Sequence, residues 1–388
     1  MPEIRPFTAL TFANRSALDQ LTAPPYDIIT GRDRDRLEAL HPHNVVRLIL
    51  EARDGTSYAG PAWYLRSWLE QGVIVRDGGE GLYLYRSDYR VEGRKHATAG
   101  IIAALRLEEL RRGSIHPHEH TMAGPKADRL ELMRTTRANL EPLWFVADGE
   151  AGPAGRLAEG VEERDPLGDL EDPERVRHRV WRLTDDEAKL AIDSVAASRL
   201  IIADGHHRYE TAIAYRDERR ARDGEGSWDF TLALISDAGG AYAPMLLPIH
   251  RIANGLDVAA LAEVTRLAPY EGSVEQLAGE VRDAPGRIGV VGRAGRWTIE
   301  IPDGIATMAL AELLTPLQPS ISYVHDLPDL EGAVDGGALG FVMPPAPLRS
   351  VIEMALDGTR MPPKTTLFWP KPRSGLLMRE IDSLVPAG

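Results

Sequence analysis

The chain has 388 residues, 43% of them apolar and 27% charged, and carries a formal charge of −13. This is globular composition with enough chain for two or three domains. The charge argues against nucleic acid and anionic lipid as partners. There is no cysteine, which removes disulfides, thiolate catalysis and cysteine-bound zinc or iron–sulfur. The opening Met1-Pro2-Glu3-Ile4-Arg5 has no basic-then-apolar leader, and no apolar run reaches spanning length. A cytoplasmic protein is therefore expected, with monomer and homo-oligomer both open.

In chain order, Ile4-Arg5-Pro6-Phe7 reads as a short strand. Pro24-Pro25-Tyr26-Asp27-Ile28 reads as extended, either a rigid loop lining a pocket or only a structural corner. Gly31 to Leu40 suits a short helix. Trp63, Leu65, Trp68 and Leu69 predict a core-facing helical stripe, which is packing rather than a cofactor contact. Leu82–Tyr85 and Tyr89–Val91 alternate, Glu92-Gly93 supplies a hairpin turn, and Ala99 to Leu105 is the returning strand.

A dense polar block follows from Ile115 to Asn139, closed by the strand Leu143 to Val146. Within it, His116, His118 and His120 could share one side of an extended segment and bind a catalytic metal. Glu119 is better used as a base that deprotonates a hydroxyl. Lys126 and Arg129 bring the positive charge that a phosphate pocket requires, while Arg134 fits a solvated helix face as well as a site. Asp148 to Arg175, rich in Gly, Pro and acid, reads as a variable loop or insertion. Val176 to Trp181 is a strand, and Asp185 to Ala197 a helix capped by Thr184.

The apolar strand Leu200-Ile201-Ile202-Ala203 runs into Asp204-Gly205-His206-His207-Arg208, with a helix predicted from Arg208 to about Asp223. Helix-start amides attract anions, Gly205 permits a tight turn, and Arg208 offers a planar fork. Asp204 at the strand's end could hold magnesium accompanying nucleotide phosphates. The bland alternative is a capped helix with a surface histidine pair. The P-loop pattern is absent from the sequence. Tyr323-Val324-His325-Asp326 places a histidine beside a carboxylate. In the basic, proline-rich run from Met361 to Arg373, Lys364 and Thr365 suit ligand contact or an exposed tail.

Pro24-Pro25-Tyr26-Asp27, His118-Glu119-His120-Thr121, Gly124 to Arg129, Ala203 to Tyr209 and Met361 to Thr365 together resemble the bacterial family catalogued as domain of unknown function ten-fifteen, over nearly the whole chain. The strand, Asp-Gly-His-His-Arg and helix are also similar to the phosphate-binding turn of the ParB/sulfiredoxin fold, which includes free-serine kinases. Pro117-His118-Glu119 resembles the Pro-His-Glu segment of those kinases.

The resemblance implies a mixed α/β (α+β) fold in three portions. These are an N-terminal portion 1–97, a ParB/sulfiredoxin-like core 98–251 with an insertion near 148–175, and a C-terminal portion 252–388. It implies Glu119 as catalytic base with His118 beside it. Asp204 would assist magnesium or the reacting group, and Gly205, His206, His207 and Arg208 would cradle phosphate. Tyr26, Asp27, Lys364 and Thr365 remain candidate substrate contacts. The expected activity is phosphate transfer from ATP or ADP, with Mg2+, to free serine or a similar small hydroxylated metabolite. A ParB-like nucleotide-binding regulator and a metal-dependent hydrolase are the alternatives. The gap from Glu119 to Asp204 is longer than in the compact serine kinases, and residues 252–388 have no counterpart there.

Overall fold

A computed structural model describes residues 1–51, 58–91, 93–110, 112–119, 123–149, 152–284, 286–302 and 304–382. His120 and Glu92 lie outside them, so the third histidine of the polar block and half of the expected hairpin turn are not described. The chain is mixed α/β and forms two compact units: Met1–Pro117 with Thr121–Pro244 and Pro370–Gly388, and His118–His120 with Met245–Trp369. The chain thus leaves each unit and returns to it, where the sequence led us to expect three consecutive portions.

The first unit is built on a nine-stranded mixed sheet. From one edge its order is Ile115–Pro117, Leu200–Asp204, Leu143–Ala147, Phe230–Asp237, Arg94–Arg106, Tyr83–Val91, Arg177–Arg182 and Gly168–Glu171, with Ile4–Arg5 added beside Arg94–Arg106. Strands from both sides of residue 97 share this sheet, so no boundary falls there. Side chains alternate across a strand, and the alternate residues Leu143, Phe145 and Ala147, Leu200 and Ile202, and Ala233 and Ile235 fill one core. Over them lie the helix Asp185–Ala196, through Ala191 and Val195, and the start of the helix His206–Asp223, through Tyr209 and Ala212.

Four expectations need correction. Residues 148–175 hold a helix, Pro153–Gly160, and a strand, Gly168–Glu171. The reason is visible in hindsight: Ala154, Leu157, Ala158 and Val161 recur at helical spacing and are buried, with Pro153 in the first turn. Tyr26–Ile28 is a 3-10 turn rather than extended, because proline restricts the residues before it, Ala23 and Pro24, and not those after. Trp63 is exposed although Leu65 and Trp68 are buried; two positions along a helix is about 200°, which turns Trp63 to the far side. The helix after the focal turn begins at His206, not Arg208.

A small second sheet in this unit pairs Ile74–Gly81, Phe7–Phe12, Met378–Glu380 and Ala138–Asn139 in that order. It brings the last described strand back to the first residues of the chain.

The second unit carries a six-stranded antiparallel sheet in the order Ala268–Tyr270, Gly295–Glu300, Arg287–Gly292, Leu339–Val342, His250–Asn254 and Ser320–Val324. Both of its faces are covered. Val290 and Phe341 pack with the helix Ala306–Leu314, while their neighbours Val291 and Val342 pack with the helices Val274–Asp283 and Leu327–Asp335. Near-continuous apolar strands follow from this two-sided burial. No described helix is long and apolar enough to cross a membrane.

Beneath the first sheet lies a buried polar string. His178 is fully buried, with Nε2 3.2 Å from Asp172 Oδ2 and Nδ1 2.8 Å from the Tyr85 hydroxyl and 3.1 Å from that of Ser87. The consistent assignment has Nε2–H donating to Asp172 and Nδ1 accepting, a neutral imidazole. Although the atoms resemble a Ser–His–Asp triad, burial of Ser87 and His178 makes the string structural. Burial lowers the His178 pKa against the opposing pull of Asp172.

Asp172→Ala should cost about 1–3 kcal/mol by stranding a buried donor, read as a lower urea midpoint. The depressed folded pKa gives a sign as well. The neutral ring's contribution is full above the unfolded value of about 6.5 and is lost as pH falls toward the folded one. A urea midpoint that stays flat from about pH 7.5 to 5 contradicts this assignment.

Candidate functional site

The focal turn is shaped before any ligand is considered. Strand Leu200–Asp204 pairs antiparallel with Leu143–Ala147, and the register shifts between Ile202 and Asp204. Ala203 is the extra residue of this bulge, and a bulge re-aims the side chain that follows it. Gly205 then takes φ +94, and a Cβ there would lie 2.8 Å from Leu143 Cδ2 and 3.1 Å from an Arg208 nitrogen. Only glycine meets both conditions.

Gly205 also caps the helix His206–Asp223, and no side chain bonds its first-turn amides as a cap. A helix start of this kind directs N–H groups and positive dipole outward. Tyr209 locks the turn from below: it is fully buried, and its hydroxyl donates to Glu108 O at 2.9 Å and accepts from Glu108 N at 3.0 Å.

Two cations converge on the Asp204 carboxylate. Arg208 Nη2 donates to Oδ2 at 2.8 Å, and Lys371 Nζ pairs with Oδ1 while lying 3.4 Å from Asp27 Oδ2. The Lys371 side chain is 9% exposed and that of Arg208 11%. Burial by itself would raise the Asp204 pKa, but Lys371 and then Arg208 outweigh it and hold the carboxyl far below the ordinary range. Burial likewise opposes the charge on Lys371, and Asp204 with Asp27 more than restores it. All three groups are therefore ionised at neutral pH.

Arg208 also points Nη1 at Pro142 O, 3.2 Å away, and at Glu141 Oε2, 3.6 Å away. Glu141, 7% exposed, accepts from the Tyr26 amide at 3.0 Å and from Ser374 Oγ at 2.6 Å. The Tyr26 ring sits 4.0 Å from the Arg129 guanidinium and 5.9 Å from that of Arg208. Such a stack fixes both forks through cation–π attraction.

Within the first unit, then, Tyr26, Asp27, Arg129, Asp204, Gly205 and Arg208 form one linked group. Asp204, expected to hold magnesium, instead pairs with the Lys371 ammonium, which also lies 3.4 Å from Asp27 Oδ2. Arg208 and Arg129 are committed to protein partners, Arg129 bonding Asp128, Tyr58 Oη and Ile49 O. Lys126 pairs with Glu210 instead of facing this group, and Arg134 Nε with Glu218 at 3.0 Å, so the two helices carrying them run parallel. His206 is buried and His207 half-buried in the helix's first turn.

The second unit holds the other predicted residues. His118 Nε2 lies 2.9 Å from Thr366 Oγ1, and Arg360 donates to Glu119 O at 2.7 Å. Glu119 Oε1 accepts from the Lys364 amide, and Lys364 takes φ +59, a left-handed conformation that is costly outside glycine. Thr365 Oγ1 donates to Pro362 O at 2.7 Å and closes the turn. Arg251, buried beneath, donates to Lys364 O at 2.6 Å and faces the Tyr323 ring at 4.9 Å. Burial lowers its pKa to about 10, against Tyr323 and Glu119. His116 belongs to the first unit and His118 to the second, so this histidine pair is not a cluster of either.

Sequence reasoning passed over Lys371 and Glu141. The available signals were a lone lysine between Pro370 and Pro372, whose backbone is stiff, and a Glu-Pro step just before an apolar strand. Replacing Lys371 by Met should cost about 1–3 kcal/mol, because it leaves the buried Asp204 carboxylate with Arg208 as its one cation among the described residues. Adding Asp204→Asn to that variant should recover part of the loss. Strictly additive urea midpoints would contradict the pairing.

Among solved structures, the chain is similar to a conserved hypothetical protein from Pyrococcus furiosus, at 14% identity over 69% of this chain and 92% of that one, with TM-score 0.35. It is also similar to a free serine kinase in complex with ADP, at 13% over 68% and 93%, TM-score 0.36. A third is SbnI with a C-terminal truncation from Staphylococcus aureus, at 8% over 72% and 81%, TM-score 0.36. No curated protein matches. The family model described as Protein of unknown function (DUF1015) matches residues 4–315, most of the chain, and the chain belongs to that family.

Proposed function

We propose that this protein is a phosphotransferase that moves a phosphoryl group from ATP or ADP to the hydroxyl of free serine or a similar small metabolite. The observation that carries the reading is the buried Lys371–Asp204–Arg208 triad beside a glycine-started helix. Phosphoryl transfer asks mainly for positioned charge and oriented donors, and this turn supplies both. Lys371 is the mobile member: its three N–H donors sit on a flexible stem, so it can give phosphate oxygen one hydrogen while keeping Asp204. Arg208 and Glu141 stay fixed and hold the turn's shape.

Gly205, His206 and His207 then offer backbone N–H groups to the phosphates. Mg2+ fits poorly as a resident ion here, because the ammonium fills the position between the two carboxylates. Magnesium accompanying the nucleotide would supply neutralisation of phosphate charge. Glu119 is the proposed base, on the resemblance of its Pro-His-Glu segment to that of the serine kinases. The acceptor oxygen gives its proton to the Glu119 carboxylate and bonds to the terminal phosphorus. The bond from that phosphorus to the bridging oxygen breaks, and ADP or AMP leaves with the electron pair.

Phosphorus NMR of the protein with magnesium, nucleotide and serine should show phosphoserine. Glu119→Gln should lower its rate by about 10²-fold or more while nucleotide binding persists. Lys371→Ala should instead weaken nucleotide binding about tenfold or more. Failure of every nucleotide to raise the melting temperature would sink the reading.

A further inference from the structure

A second anion site emerges elsewhere in the first unit. Strand Met378–Glu380 places Arg379 opposite Ala9 on one side and Asn139 on the other. The residue is 6% exposed. Nη1 donates to Asn139 Oδ1 and to Phe230 O, each at 3.0 Å, and Nη2 donates to Ser227 O at 2.7 Å. A guanidinium has five N–H donors. Three are spent on these acceptors, which leaves Nε–H and one Nη2–H. Among the described residues, no carboxylate pairs with Arg379. Burial lowers its pKa to about 10, and no neighbouring charge offsets this.

That arginine lines a groove of about 580 Å³. The volume lies within the range of small-molecule sites. Pro6, Phe7 and Phe230 make part of its wall, and the Phe230 ring is already faced by the Arg5 and Arg106 guanidinium groups at 4.6 and 4.7 Å. Of the groove's three acids, Glu380 is neutralised by Arg76 at 2.7 Å and Asp382 by Arg219 at 3.1 Å, while Glu80 lies on the wall without pairing with Arg379. In a chain of charge −13, a buried cation left uncompensated at the base of an open groove is unusual. Its cost would be offset by a ligand that supplies the missing negative charge.

We propose that this groove binds a small metabolite through an oxyanion, a carboxylate or a phosphate monoester, gripped side-on by Arg379, with the rest of the ligand lying along the groove. Planar two-oxygen recognition is what a guanidinium fork does and an ammonium does not. The site is separate from the Asp204 turn, shares no residue with it, and its existence does not depend on the phosphotransferase reading.

The test is a titration of the full chain, labelled at arginine side-chain nitrogen, with inorganic phosphate in one arm and acetate in the other. It is run on the native sequence, because the Arg379 Nε–H signal reports this groove alone and not the Asp204 turn. The Arg379 Nε–H signal should shift saturably with at least one anion, and the responding arm identifies the ligand's chemistry. Arg379→Lys, titrated with the same anion by calorimetry beside the native chain, should bind about tenfold or more weakly. If Arg379→Lys does not fold, Arg76→Ala serves in its place: it is half-exposed, and its loss frees the Glu380 charge beside the groove, so affinity should fall severalfold. An Nε–H signal unmoved by either anion overturns the proposal, as does unchanged affinity in the folded variants.

Discussion

Taking a charge out of water costs several kcal/mol, and the cost is recovered only when the partner charge is close and well placed. The meeting of Lys371 and Arg208 on Asp204 satisfies that condition, and the surrounding geometry follows from it. The bulge at Ala203 turns Asp204 toward the cations, and Gly205 lets the helix start without a side chain in the way. Glu141 holds the far end of Arg208 and the Tyr26 amide together. Remove one charge and the balance between the buried carboxylates and cations is lost.

The proposed phosphate site is compatible with an acidic chain. The formal charge of −13 describes the whole molecule, whereas the local field at a helix start is set by a few fixed groups. Lys371 is held by Asp204 and Asp27, so it is ready but not free-swinging. On the proposed reading, a phosphate would meet there a cation whose desolvation is already compensated by Asp204 and Asp27. The second unit uses a different device: Lys364 is kept in a left-handed turn by the Glu119 carboxylate and by Arg251 below it. Such backbone strain persists only where the surroundings over-determine it.

Much of the first unit was legible in the sequence because its strands alternate cleanly and its turn has a distinctive string of residues. Leu200 to Ala203 followed by Asp204-Gly205 could hardly be anything but strand and turn, and Thr184 announced its helix through the capping box with Glu187. What escaped detection depended on long-range pairing. Lys371 reaches Asp204 across 167 positions, and Ser374 reaches Glu141 across 233, so no local pattern joins them. The helix at Pro153 was hidden for another reason, since its glycines and acids outweigh a short apolar stripe in composition. The division into units was also out of reach, because a unit that the chain leaves and re-enters has no marker in composition.

The central claim is that the Asp204 turn grips phosphate through Lys371 and the first amides of its helix. A crystal structure of the protein with ADP tests it most directly. The account predicts a terminal phosphate at the start of the helix His206–Asp223, within hydrogen-bond reach of Lys371 Nζ and of the amides that follow Gly205. Nucleotide phosphates bound away from this turn, with Lys371 still held between Asp204 and Asp27, would contradict it.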